Sequence, residues 1–344
     1  MIKLKNIEQK DFSGVNPVKA LNNIKKRCQD RKKGIKSNLR TALVLQGGAM
    51  RGIFGAGVCC ALQELGYNEG FDELYGASAG ALNGAYFLSG QAAYGTTIYY
   101  QNINNRHFIN LFHFRKIVDI DFLMDIIIKV KPLNTKRLLN SSTVFNIVLT
   151  EVSSGKAVIF RKGEFKNAYL LKILKATAAM PFAYNIPVNI QGIDYLDGGV
   201  SCPIPITEAI NNGCTDILVV LTRPKSYEPA RPKGIFYRYF IEPVMQKHSK
   251  NFYKIYINRD KIHQEELSII MGNKKYKKKK VNIVVIFPEE SLKVGRTTKS
   301  RRVLKNAAIQ GAAKTLQLFD VNPHHHKELF KFFNYEKILP QSQR

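Results

Sequence analysis

A serine between two glycines, in Gly76-Ala77-Ser78-Ala79-Gly80, lies at the junction of a predicted strand, residues 71–75, and a predicted helix, residues 81–89. Small neighbours permit the tight strand-to-helix turn that exposes a nucleophilic hydroxyl and sets helix amides beside a developing oxyanion. The same small residues also suit an ordinary packed junction, which is the structural alternative. With these flanks, the pattern favours Ser78 as a nucleophile.

A serine nucleophile needs a base, and histidine is the usual one in hydrolases that use a serine, an acid and a histidine. None of the seven histidines lies in a compact strand-end loop after an obvious acid, so we expect each to be a surface or packing residue. They are His107, His113, His248, His263, His324, His325 and His326. We expect the consecutive three to lie in a solvated loop after Pro323; a weak metal site is the alternative, but further ligands are lacking.

Asp197 is the better candidate base. It follows a predicted strand, residues 193–196, and precedes Gly198 and Gly199, which allow the backbone to bend closely past another group. A plain Asp-Gly turn is the alternative. A carboxylate with an ordinary pKa of about 4 is a weak base for an alcohol, so this role requires burial that raises the pKa.

A glycine-rich turn, Gly47-Gly48-Ala49-Met50-Arg51-Gly52, joins a predicted strand at residues 42–45 to a predicted helix at residues 53–65. Such turns collect backbone amides and favour negative charge. A P-loop is excluded because no Gly-Lys-Ser/Thr is present, and the dinucleotide fingerprint fails because Ala49 replaces its middle glycine. An oxyanion hole for acyl transfer fits what remains, with Arg51 holding the loop or adding positive potential.

The alternation of strands and helices predicts a mostly parallel sheet covered by helices. Further strands are predicted at residues 144–150, 157–160, 184–190, 193–196, 216–222 and 282–287, and further helices at residues 120–129, 167–176, 205–211 and 299–318. We expect three parts: a basic N-terminal arm at residues 1–40, a catalytic core at residues 41–222, and a basic, partly helical extension at residues 223–344 that returns a strand and a helix.

Taken in chain order, the glycine turn beginning at Gln46, the Ser78 turn and Asp197-Gly198-Gly199 resemble the three motifs of the patatin-like phospholipases. Ala81-Leu82-Asn83-Gly84 and Ala176-Thr177-Ala178-Ala179-Met180-Pro181 support the likeness. It covers roughly residues 41–222 and is greatest to the bacterial subgroup with a Gly-Gly-x-x-Arg-Gly loop.

The resemblance implies a three-layer α/β/α fold and a Ser/Asp dyad that hydrolyses lipid acyl esters without metal or cofactor. Ser78 would be acylated and Asp197 would be the base. The implied oxyanion hole is Gly47, Gly48, Ala49, Arg51 and Gly52, and the implied structural glycines are Gly76, Gly80, Gly198 and Gly199. Ala49 replaces the family's usual third glycine, so a positive φ there would strain the loop and could reduce activity.

The charge of +27 is distributed unevenly over the 344 residues: +9 in residues 1–40, +1 in residues 41–222 and +17 in residues 223–344. Since the neutral segment holds all three motifs, the charge indicates where the reaction occurs, at an anionic membrane surface. Each lysine of the basic run at residues 274–280 would contribute about 1 kcal/mol to binding there. A solvated loop is the alternative for this run. The 45% hydrophobic content excludes a mostly disordered basic protein.

We therefore expect a peripheral serine esterase of the phospholipase A or lysophospholipase type. Thioesterases, transacylases and neutral-lipid lipases use the same acyl chemistry, and a catalytically weak polyanion-binding protein is an alternative of another class. No recognisable nucleic-acid motif accompanies the charge, so no specific nucleic-acid partner is expected. The oligomeric state is left open.

The sequence favours a cytoplasmic location. Charges in Met1-Ile2-Lys3-Leu4-Lys5 argue against a signal peptide, and no apolar run reaches about 18 residues. Export by a machinery that needs no cleaved signal stays open. The five cysteines, an odd number without metal-ligand spacing, are expected to be reduced thiols. They are Cys28, Cys59, Cys60, Cys202 and Cys214.

Overall fold

The computed structural model describes residues 14–68, 70–112, 116–227, 239, 241–276, 279–322, 326, 329 and 333. Within them the chain is a mixed α/β fold built around one sheet. The strands are β1 (Thr41–Leu45), β2 (Glu73–Ala77), β3 (Val144–Glu151), β4 (Ala157–Arg161), β5 (Val188–Ile190), β6 (Ile193–Asp197), β7 (Asp216–Val220) and β8 (Asn282–Ile286).

The sheet runs in the order β5-β6-β3-β2-β1-β7-β8, and β4 also pairs with β3. All pairings from β3 through β2, β1 and β7 to β8 are parallel, whereas β4, β5 and β6 pair antiparallel. The carboxyl ends of β1 and β2 therefore lie side by side. This arrangement brings the two glycine-rich turns to one edge of the sheet.

Eleven helices are present in the described residues. They are α1 (Pro17–Lys32), α2 (Gly52–Glu64), α3 (Ala79–Leu88), α4 (Ala92–Thr97), α5 (Ile120–Asp125), α6 (Thr135–Asn140), α7 (Leu170–Ala178), α8 (Ile206–Asn211), α9 (Glu242–Gln246), α10 (Lys250–Ile270) and α11 (Arg301–Leu318).

The parallel strands β1, β2 and β7 are buried on both faces, as parallel strands between helical layers must be. In β1, Leu43 and Leu45 point into one apolar core, which also contains residues of α1, α2, α3, α7 and α11. Ala42 and Val44 point into the other core, which α8 and the end of α10 cover. The three layers expected from the sequence are therefore present.

The chain after residue 222 completes this fold. β8 pairs with β7 along its length, and α11 packs along α2. Backbones approach closely between these helices, since a Cβ added at Gly57 would lie 2.0 Å from the Ala308 carbonyl oxygen, and one at Gly311 2.1 Å from that of Phe54. The strand and helix expected to return after residue 280 are thus observed. The division into an arm, a catalytic core and an extension, based on where the charge and the motifs lie in the sequence, stays a proposal.

The segments expected to be an arm and a loose extension contain ordered helices. α1 lies against β7 and β8 and buries Ala20, Leu21 and Ile24. α10 extends over 21 residues and buries Phe252 and Tyr256. The sequence signal was weak because charged and polar residues dominate both helices and leave only a narrow apolar stripe in each.

Candidate active site

Ser78 occupies the sharp turn between β2 and α3, as the sequence predicted. Its backbone has φ 55° and ψ −133°, a conformation that a non-glycine residue adopts only under strain. Thr177 holds this turn: its Oγ1 accepts a hydrogen bond from the Ser78 N–H at 2.9 Å and donates one to the Val148 carbonyl at 2.6 Å. The backbone of Ser78 is therefore held by a side chain from α7.

The two glycines of this turn are required by close backbone approach. A Cβ at Gly76 would lie 2.7 Å from the Cα of Ala81, and one at Gly80 would lie 2.2 Å from the carbonyl oxygen of Leu45. No larger residue fits either position without moving β1 or α3. The Gly-x-Ser-x-Gly pattern is therefore a steric requirement of this turn.

Asp197 ends β6 and is fully buried. Its Oδ1 accepts a hydrogen bond from the Gly199 N–H at 2.7 Å, and its carbonyl oxygen accepts one from Thr150 Oγ1 at 2.8 Å. A Cβ at Gly198 would lie 2.1 Å from the Val148 carbonyl oxygen, so this turn also requires glycine. Asp197 Oδ2 is a buried oxygen without a hydrogen-bond partner.

Burial raises the pKa of Asp197 to about 6. The Ser78 hydroxyl and the Gly199 amide oppose this rise, and so do the charges of Arg296 and Arg259. Ser78 is thus close enough to Asp197 to affect its ionisation, although no hydrogen bond of full geometry joins the two side chains. A carboxylate with this pKa is a stronger base than an exposed one and is still ionised at neutral pH.

The glycine-rich turn lies directly against Ser78. A Cβ at Gly47 would lie 2.7 Å from Ser78 Cβ, so only glycine allows this approach. Thr222 Oγ1 donates a hydrogen bond to the Gly47 carbonyl at 2.6 Å, and Asn83 Nδ2 donates one to the Gly52 carbonyl at 2.8 Å. These contacts fix both ends of the turn.

Ala49 adopts φ 52°, in the left-handed region, next to Gly48 at φ 155°. Ala49 therefore has the positive φ that is expected to strain the loop. An alanine in this conformation costs about 1–2 kcal/mol. The turn therefore carries local strain at the position where the family's usual residue is glycine.

Ala49→Gly is expected to raise the free energy of unfolding by about 0.5–1 kcal/mol, because glycine relieves the strain but adds entropy to the unfolded chain. Denaturant unfolding measures this. Ala61→Gly within α2 is the matched control and should lower stability by about 1 kcal/mol or more. If both variants destabilise the protein equally, the turn at Ala49 is not strained.

No histidine in the described part of the chain forms a hydrogen bond with Ser78 or Asp197. His248 contacts Asn185 Oδ1 at 2.7 Å, and His326 lies 3.4 Å from Glu64 Oε1. His107 lies beside the ring of Phe122, 6.2 Å between ring centroids. His113, His324 and His325 lie outside the described residues.

His263 is buried near the glycine-rich turn. Gln46 Oε1 accepts from the Thr222 N–H, so its amide nitrogen donates to His263 Nε2 at 2.8 Å. The ring proton of His263 is therefore on Nδ1, which is buried and has no acceptor. Burial, with Arg223 and Arg51 nearby, lowers the pKa of His263 to about 3 and keeps the ring neutral.

The sequence did not indicate that Thr177 holds the Ser78 turn. Its only sequence signal is its position near the end of a helix, shortly before the candidate base. Gln46 and Thr222 were missed as turn-holding residues because their partners lie far away in the chain. No group of three or more His, Cys, Asp or Glu residues that could hold a metal occurs in the described ranges.

The family model described as "Patatin-like phospholipase" matches residues 43–210. A curated protein of Escherichia coli (strain K12), "Uncharacterized protein YjjU", is 31% identical over 198 residues, which are 54% of this chain and 52% of that protein. The chain therefore spans about half the length of this relative.

Two solved structures also resemble the chain. VipD from Legionella pneumophila has a TM-score of 0.47 at 14% identity, over 83% of this chain and 67% of that one. Human GIVD cytosolic phospholipase A2, in complex with methyl gamma-linolenyl fluorophosphonate and terbium chloride, has a TM-score of 0.37 at 11% identity, over 96% of this chain and 65% of that one.

Proposed function

Because this chain carries a patatin-like phospholipase domain at residues 43–210, we propose that it is a serine esterase that hydrolyses fatty-acyl esters of phospholipids or lysophospholipids. Ser78 and Asp197 are the proposed dyad. The main observation in support of this proposal is that Asp197 Oδ2 is buried without a hydrogen-bond partner, close to Ser78. The backbone of Ser78 is strained at the turn between β2 and α3. A buried oxygen without a partner is costly, so a proton-accepting role accounts for it.

In the proposed reaction, Ser78 Oγ attacks the ester carbonyl carbon as its proton passes to Asp197 Oδ2. The oxyanion is held by amides of residues 47–49, with Arg51 adding positive charge. Collapse of the tetrahedral intermediate breaks the ester bond, and the leaving alcohol takes the proton from Asp197. Water then attacks the acyl-Ser78 ester and gives a proton to Asp197, which returns it to Ser78 as the fatty acid leaves.

A fluorophosphonate probe tests the nucleophile directly. We expect stoichiometric labelling of the wild-type protein and, after digestion, a mass-shifted peptide whose modified residue is Ser78. Labelling should slow as the pH falls below about 6, because Asp197 is then protonated. An adduct on another residue would overturn the assignment of Ser78.

The substrate class is tested by hydrolysis of phospholipids, lysophospholipids, acylglycerols and acyl-CoA with one acyl chain in common. Ester cleavage of the phosphorylated lipids is expected. Preferential thioester cleavage, or transfer of the acyl group to an alcohol instead of water, would favour the thioesterase or transacylase alternative.

We also propose that the protein acts at an anionic membrane surface. In the described residues no helix has the length and apolar character to cross a bilayer. Leu111 and Phe112 are 63% and 90% exposed, and apolar side chains at such a turn can enter a lipid interface. The lysine run contributes less than its count suggests: Lys279 donates to the Ile210 carbonyl, Lys274 lies 3.8 Å from Glu265, and residues 277–278 lie outside the described residues.

Vesicle binding should increase with the fraction of anionic lipid and weaken by about tenfold or more between 50 and 500 mM salt, since salt screens surface charges. Phe112→Ser should weaken it further, because the exposed ring no longer enters the interface. Ile257→Ser, at an exposed position of α10, is the matched control. Co-sedimentation measures both, and a flat salt response would refute electrostatic docking.

A further inference from the structure

Arg51, Arg223 and Arg296 come from three separate segments that meet at the glycine-rich turn. Arg51 lies in the turn itself. Arg223 directly follows Thr222, whose side chain binds the Gly47 carbonyl, and the Arg296 carbonyl accepts from the Met50 N–H at 3.4 Å. Burial lowers the pKa of each of these three arginines, and the charge of at least one neighbouring arginine lowers it further. For Arg51 these neighbours are Arg223 and Arg296, and for Arg296 the neighbour is Arg259.

Arg259 joins this cluster from α10, the helix that packs against the turn Gly198–Val200 after Asp197. Its side chain is 18% exposed, and its guanidinium carbon lies 4.5 Å from the ring centroid of Tyr256. Arg259 and Arg296 both act on the ionisation of Asp197. We refer to Arg51, Arg223, Arg259 and Arg296 as the arginine cluster.

The arginine cluster carries more positive charge than its surroundings balance. Among the described residues, no carboxylate lies within ion-pair distance of Arg51, Arg223 or Arg296, and Arg259 has only Asp260, at 3.9 Å. Arg51 Nε is buried without an acceptor. Four neighbouring arginines with two nearby carboxylates, Asp260 and Asp197, leave an excess of positive charge that favours an anionic ligand.

A cavity of about 530 Å³ opens beside this cluster. Gln46, Arg223, Lys225, Tyr227 and His263 are among the residues that line it. His263 is 5% exposed, and its Nδ1–H is a buried donor without an acceptor. Arg223 is held over the Tyr227 ring, 3.9 Å from its centroid. Arg223 is the member of the arginine cluster that lines this cavity, together with Lys225 and the neutral ring of His263.

A phosphate group matches these donors better than a carboxylate. Guanidinium groups form paired hydrogen bonds with phosphate oxygens, and the additional oxygens of a phosphate let it accept from more arginines at once than a carboxylate can. Arg223, Arg259, Arg296 and His263 all follow residue 210, so none belongs to the matched family region.

We propose that the arginine cluster and His263 bind a phosphate group, and that the protein consequently prefers phosphate-bearing acyl esters to neutral ones. This inference rests on the proposed function for its substrate, but phosphate binding itself does not. The phosphate either belongs to the head group of the substrate or is a free ion that occupies the cavity during hydrolysis.

The experiment compares a short-chain 1-acyl-glycerol 3-phosphate with the monoacylglycerol of the same chain, both below their micelle-forming concentrations. Wild-type kcat/KM should be about 30-fold or more higher for the phosphorylated ester. In Arg223→Gln, Arg259→Gln and Arg296→Gln, this ratio should fall about tenfold each, mainly through KM, as expected for the loss of one charged hydrogen bond. Arg302→Gln, at an exposed site on α11, removes the same charge and should leave the ratio unchanged.

Inorganic phosphate distinguishes the two sources. If it competes with the phosphorylated ester alone, the head group occupies the site; if it stimulates hydrolysis of the neutral ester, free phosphate does. Equal kcat/KM for both esters, with no phosphate binding by calorimetry, would overturn the proposal.

If neither ester is hydrolysed, the proposed function fails, and calorimetry then decides the anion site alone. The site is supported if the wild-type protein binds phosphate and the variant that combines Arg223→Gln, Arg259→Gln and Arg296→Gln does not. Equal or absent binding in these two proteins removes it. Circular dichroism and thermal unfolding of each variant establish that it remains folded.

Discussion

Ser78→Ala is expected to lower kcat/KM for a fatty-acyl ester by about 10⁴-fold or more, because the substitution removes the oxygen that is acylated in the proposed reaction. The change keeps Cβ and the backbone N–H, so the hydrogen bond to Thr177 and the positive φ persist. The variant should therefore fold with wild-type stability to within about 0.5 kcal/mol. Its loss of activity would then be chemical in origin.

Ser89→Ala is the matched control for this substitution. Ser89 is also buried, at the end of α3, and its hydroxyl donates to the Tyr86 carbonyl at 3.0 Å. Steady-state kinetics on both variants should separate them by several orders of magnitude. A Ser78→Ala protein that retains more than a few per cent of wild-type turnover would exclude the acyl-enzyme at this residue.

Asp197→Asn is expected to lower kcat by about 10³- to 10⁴-fold, since an amide oxygen cannot hold the proton that leaves Ser78. The substituted side chain still accepts from the Gly199 N–H, so the turn should keep its shape. Asp194→Asn, at an exposed position of the same strand, is the control and should keep normal turnover. Equal effects of the two substitutions would eliminate Asp197 as the base.

The pH dependence gives a second readout of the same residue. Wild-type kcat/KM should rise as pH increases through about 6 and level off above it, because the ionised carboxylate is the active form. In the folded state the pKa of Asp197 is raised, so its contribution to stability is fully present below about pH 4 and is lost as pH rises to about 6. Above pH 6, Asp197→Asn should therefore be as stable as the wild type or up to about 3 kcal/mol more stable.

Local chemistry explains which parts of this site could be predicted. The turns at Gly76, Gly80 and Gly198 could be predicted from the sequence, because each glycine lies where two backbone segments approach too closely for a side chain. Strands such as β1 and β7 are visible because they are uniformly apolar between turn residues. The mostly parallel sheet and its helical cover followed from their alternation.

The remaining features depend on contacts between distant residues. The burial that raises the pKa of Asp197 arises where β6 packs against β3 and α7, and no local sequence pattern indicates it. Gln46 and His263 are 217 residues apart, and the arginine cluster combines four segments without a common spacing. The distribution of charge along the sequence identified the basic flanks of the chain. It did not indicate that four arginines lie together beside the proposed dyad.

The order of strands in the sheet has a consequence for biosynthesis. All three motifs have been translated by residue 199, yet β7, which pairs with β1 on the side opposite β2, and β8 are made later, and α11 later still. A nascent chain that ends before α11 has an uncovered α2 directly after the glycine-rich turn. Such a chain holds Ser78 and Asp197 without the packing of α11 on α2. The proposed esterase activity is therefore expected only after α11 has been made and has packed on α2.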